Sequence, residues 1–180
     1  METSKSYDRL VDFVTGKEIP NVGVEERRQV VERFLVESKG YEKKEIEVDA
    51  PLAFDVGGEP FRSTVDLVVR IEDTRFMVFK LAPGSLGSRH RETLAAARLL
   101  DTYQIPLSVV TNGEEAEILN TATGDIEAQG MQAIPSRKEA RRRLETLSLE
   151  PYAEDKVERE RIIFRSYDEM NVNVRRNLDE

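Results

Sequence analysis

Three places in the chain combine residue types that acid–base or metal chemistry needs with a pattern able to hold them. Glu25 and Glu26 open a helical stretch, Asp66 interrupts the apolar run Thr64-Val65-Asp66-Leu67-Val68-Val69, and Lys80 closes Phe76-Met77-Val78-Phe79-Lys80. A charged group inside an apolar strand needs a partner or a function, because burying it alone is costly. The residues by themselves leave open a partly buried ion pair, two wetted strand ends, or a site. If they converge, the carboxylates offer hard oxygen ligands for a divalent cation, and the lysine can orient a nucleophile and offset charge in a transition state. Side chains two apart on a strand share a face, so positions 78 and 80 open toward one cleft.

A second candidate is Ser85-Leu86-Gly87-Ser88-Arg89-His90-Arg91, a basic loop entering a helix directly after Lys80. Its amide groups with Ser88, Arg89 and Arg91 could receive a phosphate of a nucleic acid. The same residues also read as an ordinary helix start, with Ser88 as N-cap and the arginines solvated. His90, the sole histidine, reads as an exposed polar residue, and Arg141-Arg142-Arg143, interleaved with Glu139 and Glu145, as a solvated helix face.

These groups must be positioned by a small set of elements. Residues 1–23 read as a leading arm whose Leu10, Val11, Phe13 and Val14 lie on the domain and carry no chemistry. From Val24, the residues Val24, Val30, Val31, Phe34 and Leu35 recur at helical spacing with a charged face opposite, and Gly40 is a natural left-handed cap. Ile46, Val48, Ala50, Leu52 and Phe54 then alternate with polar residues as in a strand with one buried face, Gly57-Gly58 turns the chain, and strands follow at 61–71 and 75–81. A helix is expected over 88–102, a buried strand over 107–110, a tight turn at Asn112-Gly113 and a strand over 116–119. Ser136 and Glu139 form a capping box for a helix bearing Ala140, Leu144 and Leu147. After Pro151, a helix over 154–170 packs through Val157, Ile163, Phe164, Tyr167 and Met170, with Ile162, Ile163, Phe164 and Tyr167 placed on the core or on a second copy of the chain. The expected architecture is α/β, a mixed sheet flanked by helices with a helical C-terminal extension, divided as an arm (1–23), a domain (24–130) and the extension (131–180).

The 180 residues carry 27 bases and 35 acids, a net charge of -8, which disfavours indiscriminate binding to polyanions. All of that net charge lies in residues 1–135, since 136–180 balance 11 bases with 11 acids. The absence of cysteine removes disulfides, thiolate metal sites and cysteine nucleophiles. No apolar run is long enough to span a bilayer and the N-terminus lacks a signal-peptide core, so a cytoplasmic location is expected.

In order and spacing, these motifs resemble the PD-(D/E)xK nuclease superfamily, and most closely the N-terminal domain of type I restriction enzyme R proteins. Glu25-Glu26-Arg27-Arg28-Gln29 with Gly40-Tyr41 is similar to that family's opening helix, Thr64 to Val69 to its aspartate strand, Val78 to Pro83 to its lysine strand, and Pro106 to Gly113 with Thr123-Gly124-Asp125 to the segment that closes its sheet. The resemblance implies a restriction-endonuclease-like fold and Mg²⁺-dependent hydrolysis of DNA phosphodiesters. It assigns Asp66 and Glu26 to the metal with the Phe79 carbonyl as a backbone ligand, and Lys80 to the catalytic base position. The chain departs from the pattern at Val78, where the family carries its second acid, and in the helix over 88–102, which lacks the family's Gln-x-x-x-Tyr pair. Glu92 or Glu26 would have to replace that acid. Otherwise cleavage is lost and the cleft serves as a binding module for DNA or a protein. No phosphate-binding loop of an ATP-driven motor is present, so a translocation or restriction role would need a motor or restriction–modification subunit as partner. A homodimer through the C-terminal helices is a further expectation.

Overall fold

The sheet forms where apolar and β-branched residues dominate. In a computed structural model, which describes residues 8–170, six strands form one sheet in which each lies beside the next in chain order. They are β3 (Ile46–Val56), β4 (Glu59–Ile71), β5 (Thr74–Leu81), β6 (Leu107–Thr111), β7 (Ala116–Asn120) and β8 (Ile126–Gln129). All neighbours are antiparallel except β5 and β6, which run parallel because α2 (His90–Leu99) makes the crossover between them. β1 (Arg9–Val11) and β2 (Glu18–Pro20) form a separate hairpin. The first seven residues of the expected arm and the last ten of the expected C-terminal extension lie outside the described residues.

Helices cover both faces. α1 (Glu25–Arg33), continued by a π-helical turn over Phe34–Ser38, packs with α3 (Arg137–Leu144) on one face, where Val31, Leu35, Tyr41, Leu67, Met77, Phe79, Val109 and Ala140 make one core. α2 and α4 (Glu154–Met170) cover the other face, where Ala50, Val68, Val78, Ala95, Ala96, Ala97 and Phe164 make a second. Gly40 has φ 79 and ends the first helix as expected, and the Ser136–Glu139 capping box starts α3.

Several expectations are corrected. The N-terminal segment is a hairpin whose Val14 packs on the first core as expected while Val11 is exposed, and it is stitched to α1 by polar groups: the Phe13 and Val14 amides donate to Gln29 Oε1 and Glu32 Oε2 (2.6 and 3.1 Å), and Gln29 Nε2 donates to Asp12 Oδ2 (3.1 Å). The charged face of α1 is not solvated, since Glu25, Arg28 and Glu32 are 5%, 3% and 0% exposed, whereas Val30 faces water. On α4, Met170 and Ile162 are exposed while Glu160 and Asp168 are buried beside Phe164. α2 starts two residues later than expected, and Ser88 does not cap it; its hydroxyl donates to the Ser85 carbonyl instead.

The long β3–β4 ribbon does not keep one buried face. Ile46 and Val48 pack on the α1 side, but Ala50 and Leu52, of the same parity, pack on the α2–α4 side. The partner strand changes face at the same level, between Leu67 and Val65. The ladder pairs Val48 with Leu67 and Ala50 with Val65, and omits the intervening Asp49–Asp66 step. Asp49 has φ 52, a left-handed conformation that costs a non-glycine residue free energy and persists only where surroundings impose it. What imposes it is Arg28, whose guanidinium bonds Asp49 Oδ1 at 2.8 Å and Glu25 Oε2 at 2.7 Å, with Glu32 at 3.7 Å and Asp12 at 3.8 Å.

Removing one partner of a buried ion pair leaves uncompensated charge. Arg28→Ala is therefore expected to cost about 3–5 kcal/mol in urea unfolding. A loss below about 1 kcal/mol, the scale of an exposed pair, would show that Arg28 does not carry this junction.

Candidate functional site

Asp66 lies at the change of face in β4, and Lys80 lies near the end of β5 on the neighbouring strand. Both side chains point to the α2 side, where Lys80 Nζ stands 3.7 Å from Asp66 Oδ2 and 3.2 Å from Glu92 Oε1. Asp66 Oδ2 also accepts the Leu81 amide at 2.8 Å, so the carboxylate takes over from the ladder where β5 parts from β4. Glu92, on the first turn of α2, is 3% exposed, and its other oxygen lies 3.3 Å from Arg89 Nη1. The result is a chain of alternating charge, Asp66–Lys80–Glu92–Arg89. Burial works against the Lys80 ammonium, yet Asp66 and Glu92 outweigh it and hold its pKa above the ordinary lysine value.

Val78 shares this face two residues before Lys80, but it is fully buried in the second core with Ala95, Ala96, Ala97 and Phe164. The free space among Asp66, Lys80, Glu92, Thr93, Ala96 and Phe164 is about 10 Å³, close to what one water occupies. Phe164 of α4 closes it. Phe79 borders the same space, with its ring in the opposite core.

The paired glutamates separate. Glu26 is exposed and accepts from Asn21 Nδ2 at 2.6 Å, away from Lys80. Glu25 turns inward, where burial, opposed by Arg28, together with the charges of Asp49, Asp66 and Asp12, raises its pKa to about 7. The basic loop is likewise internally neutralised. Arg89 pairs with Glu92, Arg91 Nη2 lies 3.8 Å from Glu160, and the His90 ring bonds Glu117. Ser88 is exposed at the rim. Arg141 and Arg143 pair with Glu72 and Glu127 at 2.5 and 3.0 Å. No group of three or more His, Cys, Asp or Glu side chains able to hold a metal ion occurs among the described residues.

Sequence reasoning missed Arg28, Asp49 and Glu160. The signal for Arg28 was present in Glu25, Arg28 and Glu32 at helical spacing, but the same pattern serves on solvated faces. For Asp49 nothing local marks a left-handed residue within an alternating strand.

The family described as type I restriction enzyme R protein N terminus (HSDR_N) matches residues 24–135. Among solved structures, the fragment assigned to an HsdR subunit of a type I restriction enzyme from Vibrio vulnificus YJ016 is similar, with a TM-score of 0.53 at 16% identity, covering 68% of this chain and 25% of that one. This chain thus spans a quarter of the length of that structure. A search of curated proteins gave no match. No helix among the described residues is long and apolar enough to cross a membrane.

The acids around Arg28 predict a pH dependence. Burial, with the Asp12 charge next, raises Glu32 to about 8 from its ordinary 4.5. The folded chain therefore holds that proton more tightly than the unfolded chain. Its stabilising contribution is complete below pH 4.5 and is lost as pH rises through about 8. The wild-type melting temperature should fall between pH 5 and pH 8, and Glu32→Gln, which keeps an acceptor for the Val14 amide, should flatten that fall. Parallel melting curves for the two proteins would contradict the assignment.

Proposed function

The chain belongs to the family of type I restriction enzyme R protein N termini, and from that premise we propose that it is a nuclease-like, nucleic-acid-related domain whose hydrolytic site has lapsed and which acts by binding. The observation that carries this is Val78. In the position where the resemblance expects a metal-binding acid, a fully buried isopropyl group packs on the alanines of α2. The remaining donors favour the same reading. Lys80 is bound by two carboxylates, one of which is shared with Arg89, in a space for a single water.

Mg²⁺ does not fit these residues. It demands near-octahedral oxygen ligation and usually keeps several waters. Here Asp66 is engaged by the Leu81 amide and Lys80, Glu92 by Lys80 and Arg89, and Glu26 is exposed on α1, bonded to Asn21. What these side chains do is fix one another. Asp66 and Glu92 keep Lys80 charged, and Lys80 in turn joins β4, β5 and α2. Family membership supports a restriction–modification assembly as the setting, with DNA and a motor or modification subunit as partners.

One observation favours a second reading. Glu92 stands across Lys80 from Asp66, where an acid relocated from strand to helix would stand. Calorimetry with Mg²⁺ or Mn²⁺ separates the two. The lapsed site predicts no heat of binding at millimolar metal and no cleavage of single-stranded or duplex DNA. Binding abolished by both Asp66→Ala and Glu92→Gln, accompanied by cleavage, would overturn it in favour of a relocated acid. Restoring the acid by Val78→Glu should not create activity but destabilise the chain by about 3 kcal/mol or more, because the carboxylate enters an apolar contact. Recovery of metal-dependent cleavage in that variant would show that the cleft opens.

A further inference from the structure

α4 lies wholly outside the family-matched residues, yet it closes the space around Asp66, Lys80 and Glu92. Its buried stripe is Glu160, Phe164 and Asp168, spaced by four, so two of the three side chains it buries are acids. Glu160 Oε1 lies 3.3 Å from Arg98 Nη1 and 3.8 Å from Arg91 Nη2, and accepts the Tyr152 hydroxyl at 3.1 Å. Asp168 Oδ1 accepts the Ser63 hydroxyl at 2.7 Å. Between them, the Phe164 ring meets Phe54 and Phe61 edge-on, with centroids at 6.1 and 6.3 Å. Glu160 Oε2 and Arg161 Nε are buried without a hydrogen-bond partner among the described residues.

A helix serving only as core would bury apolar groups and satisfy its polar ones. This one buries a single apolar side chain completely, Phe164, with Ile163 half-buried beside it, and its other fully buried groups are acids, whose ion pairs come close to breaking even against desolvation. Its docking is therefore weak for the area it covers. The surface beneath combines Arg91 and Arg98, whose partner on α4 is Glu160, and Lys80, which Asp66 and Glu92 hold from the sheet and α2, with the aromatic pair Phe54–Phe61, whose rings lie 5.2 Å apart. Basic side chains flanking aromatic rings are what a single nucleic-acid strand recognises, phosphates pairing with the cations and bases stacking on the rings.

We propose that α4 is a releasable seal over this surface, Glu160 standing where a phosphate of a single DNA strand would lie and Phe164 where a base would stack. This rests on the nucleic-acid reading of the family, and it identifies the surface and the strand form. The closed helix also accounts for how a domain with net charge -8 can keep such a surface without binding polyanions indiscriminately.

The test uses the full chain with Phe164→Ala and, separately, Glu160→Gln, each checked for folding by circular dichroism. Two quantities are read: the rate at which an amine-acylating reagent modifies Lys80, by peptide mass spectrometry, and the affinity for a fluorescent oligothymidine of about fifteen nucleotides, by anisotropy at low salt. Both should rise by about tenfold over wild type, and Arg91→Ala in the Phe164→Ala background should lower the affinity again and reduce its salt dependence. Unchanged Lys80 modification in the folded variants overturns the seal. Faster modification without tighter oligothymidine binding overturns the strand as ligand while the seal stands, and only failure to bind a duplex of the same length as well overturns the nucleic-acid reading. If neither variant folds, the milder Tyr152→Phe, which removes one hydrogen-bond donor to Glu160 Oε1 from outside the sheet, supplies the Lys80 readout. An unchanged rate there overturns the seal as well.

Discussion

The buried pair between Arg28 and Asp49 is the constraint on which the arrangement depends. One guanidinium on α1 holds an aspartate in a left-handed conformation within β3, at the step where the ribbon with β4 exchanges its buried faces. Without that exchange the outer half of the ribbon, with Ala50, Leu52 and Val65, would continue along the α1 face instead of reaching α2 and α4. The same guanidinium reaches Asp12 of the N-terminal hairpin, so hairpin, helix and ribbon share one charge. Four carboxylates around one arginine exceed what it can neutralise, and the excess is met unequally: burial raises Glu25 and Glu32, while hydrogen bonds from Thr15 and Gln29 hold Asp12 below its ordinary value.

The two faces of the sheet use charge differently. On the α1 side, charge gathers at the Arg28 cluster and at the Glu45–Arg137 pair, and the rest is apolar packing through Tyr41, Phe76, Met77 and Phe79. On the α2 side it runs as a line, from Asp66 through Lys80 and Glu92 to Arg89, with Arg91, Arg98 and Glu160 forming a second line under α4. The small side chains of Ala95, Ala96 and Ala97 let α2 approach the sheet closely and meet Val78 directly. An acid at 78 and that close approach are incompatible, so the apolar residue and the alanine-rich helix form one solution. The result is a site in which every charge is used to hold another.

The pattern of the amino acids was enough to determine the elements and their order. Alternation from Ile46, the Asn112-Gly113 turn, the apolar strand at Leu107 and the Ser136–Glu139 box each rest on interactions within a few residues, and each appears in the structure. The mixed sheet between helices followed from that order, and Asp66 and Lys80 stood out because a charge in an apolar strand is visible locally. What chain pattern could not decide depended on contacts distant in sequence. The inward turn of Glu25 goes with the burial of its partner Arg28, and the face exchange of β3 with the bond from that same arginine to Asp49, 21 residues away. The partner of Lys80 came from a helix 12 positions later, and the cover over the site from Phe164, beyond the span where local motifs point to the family. Periodicity assigns charged residues to water because isolated charges belong there. Only the assembled structure, where opposite charges meet out of solvent, reverses that assignment.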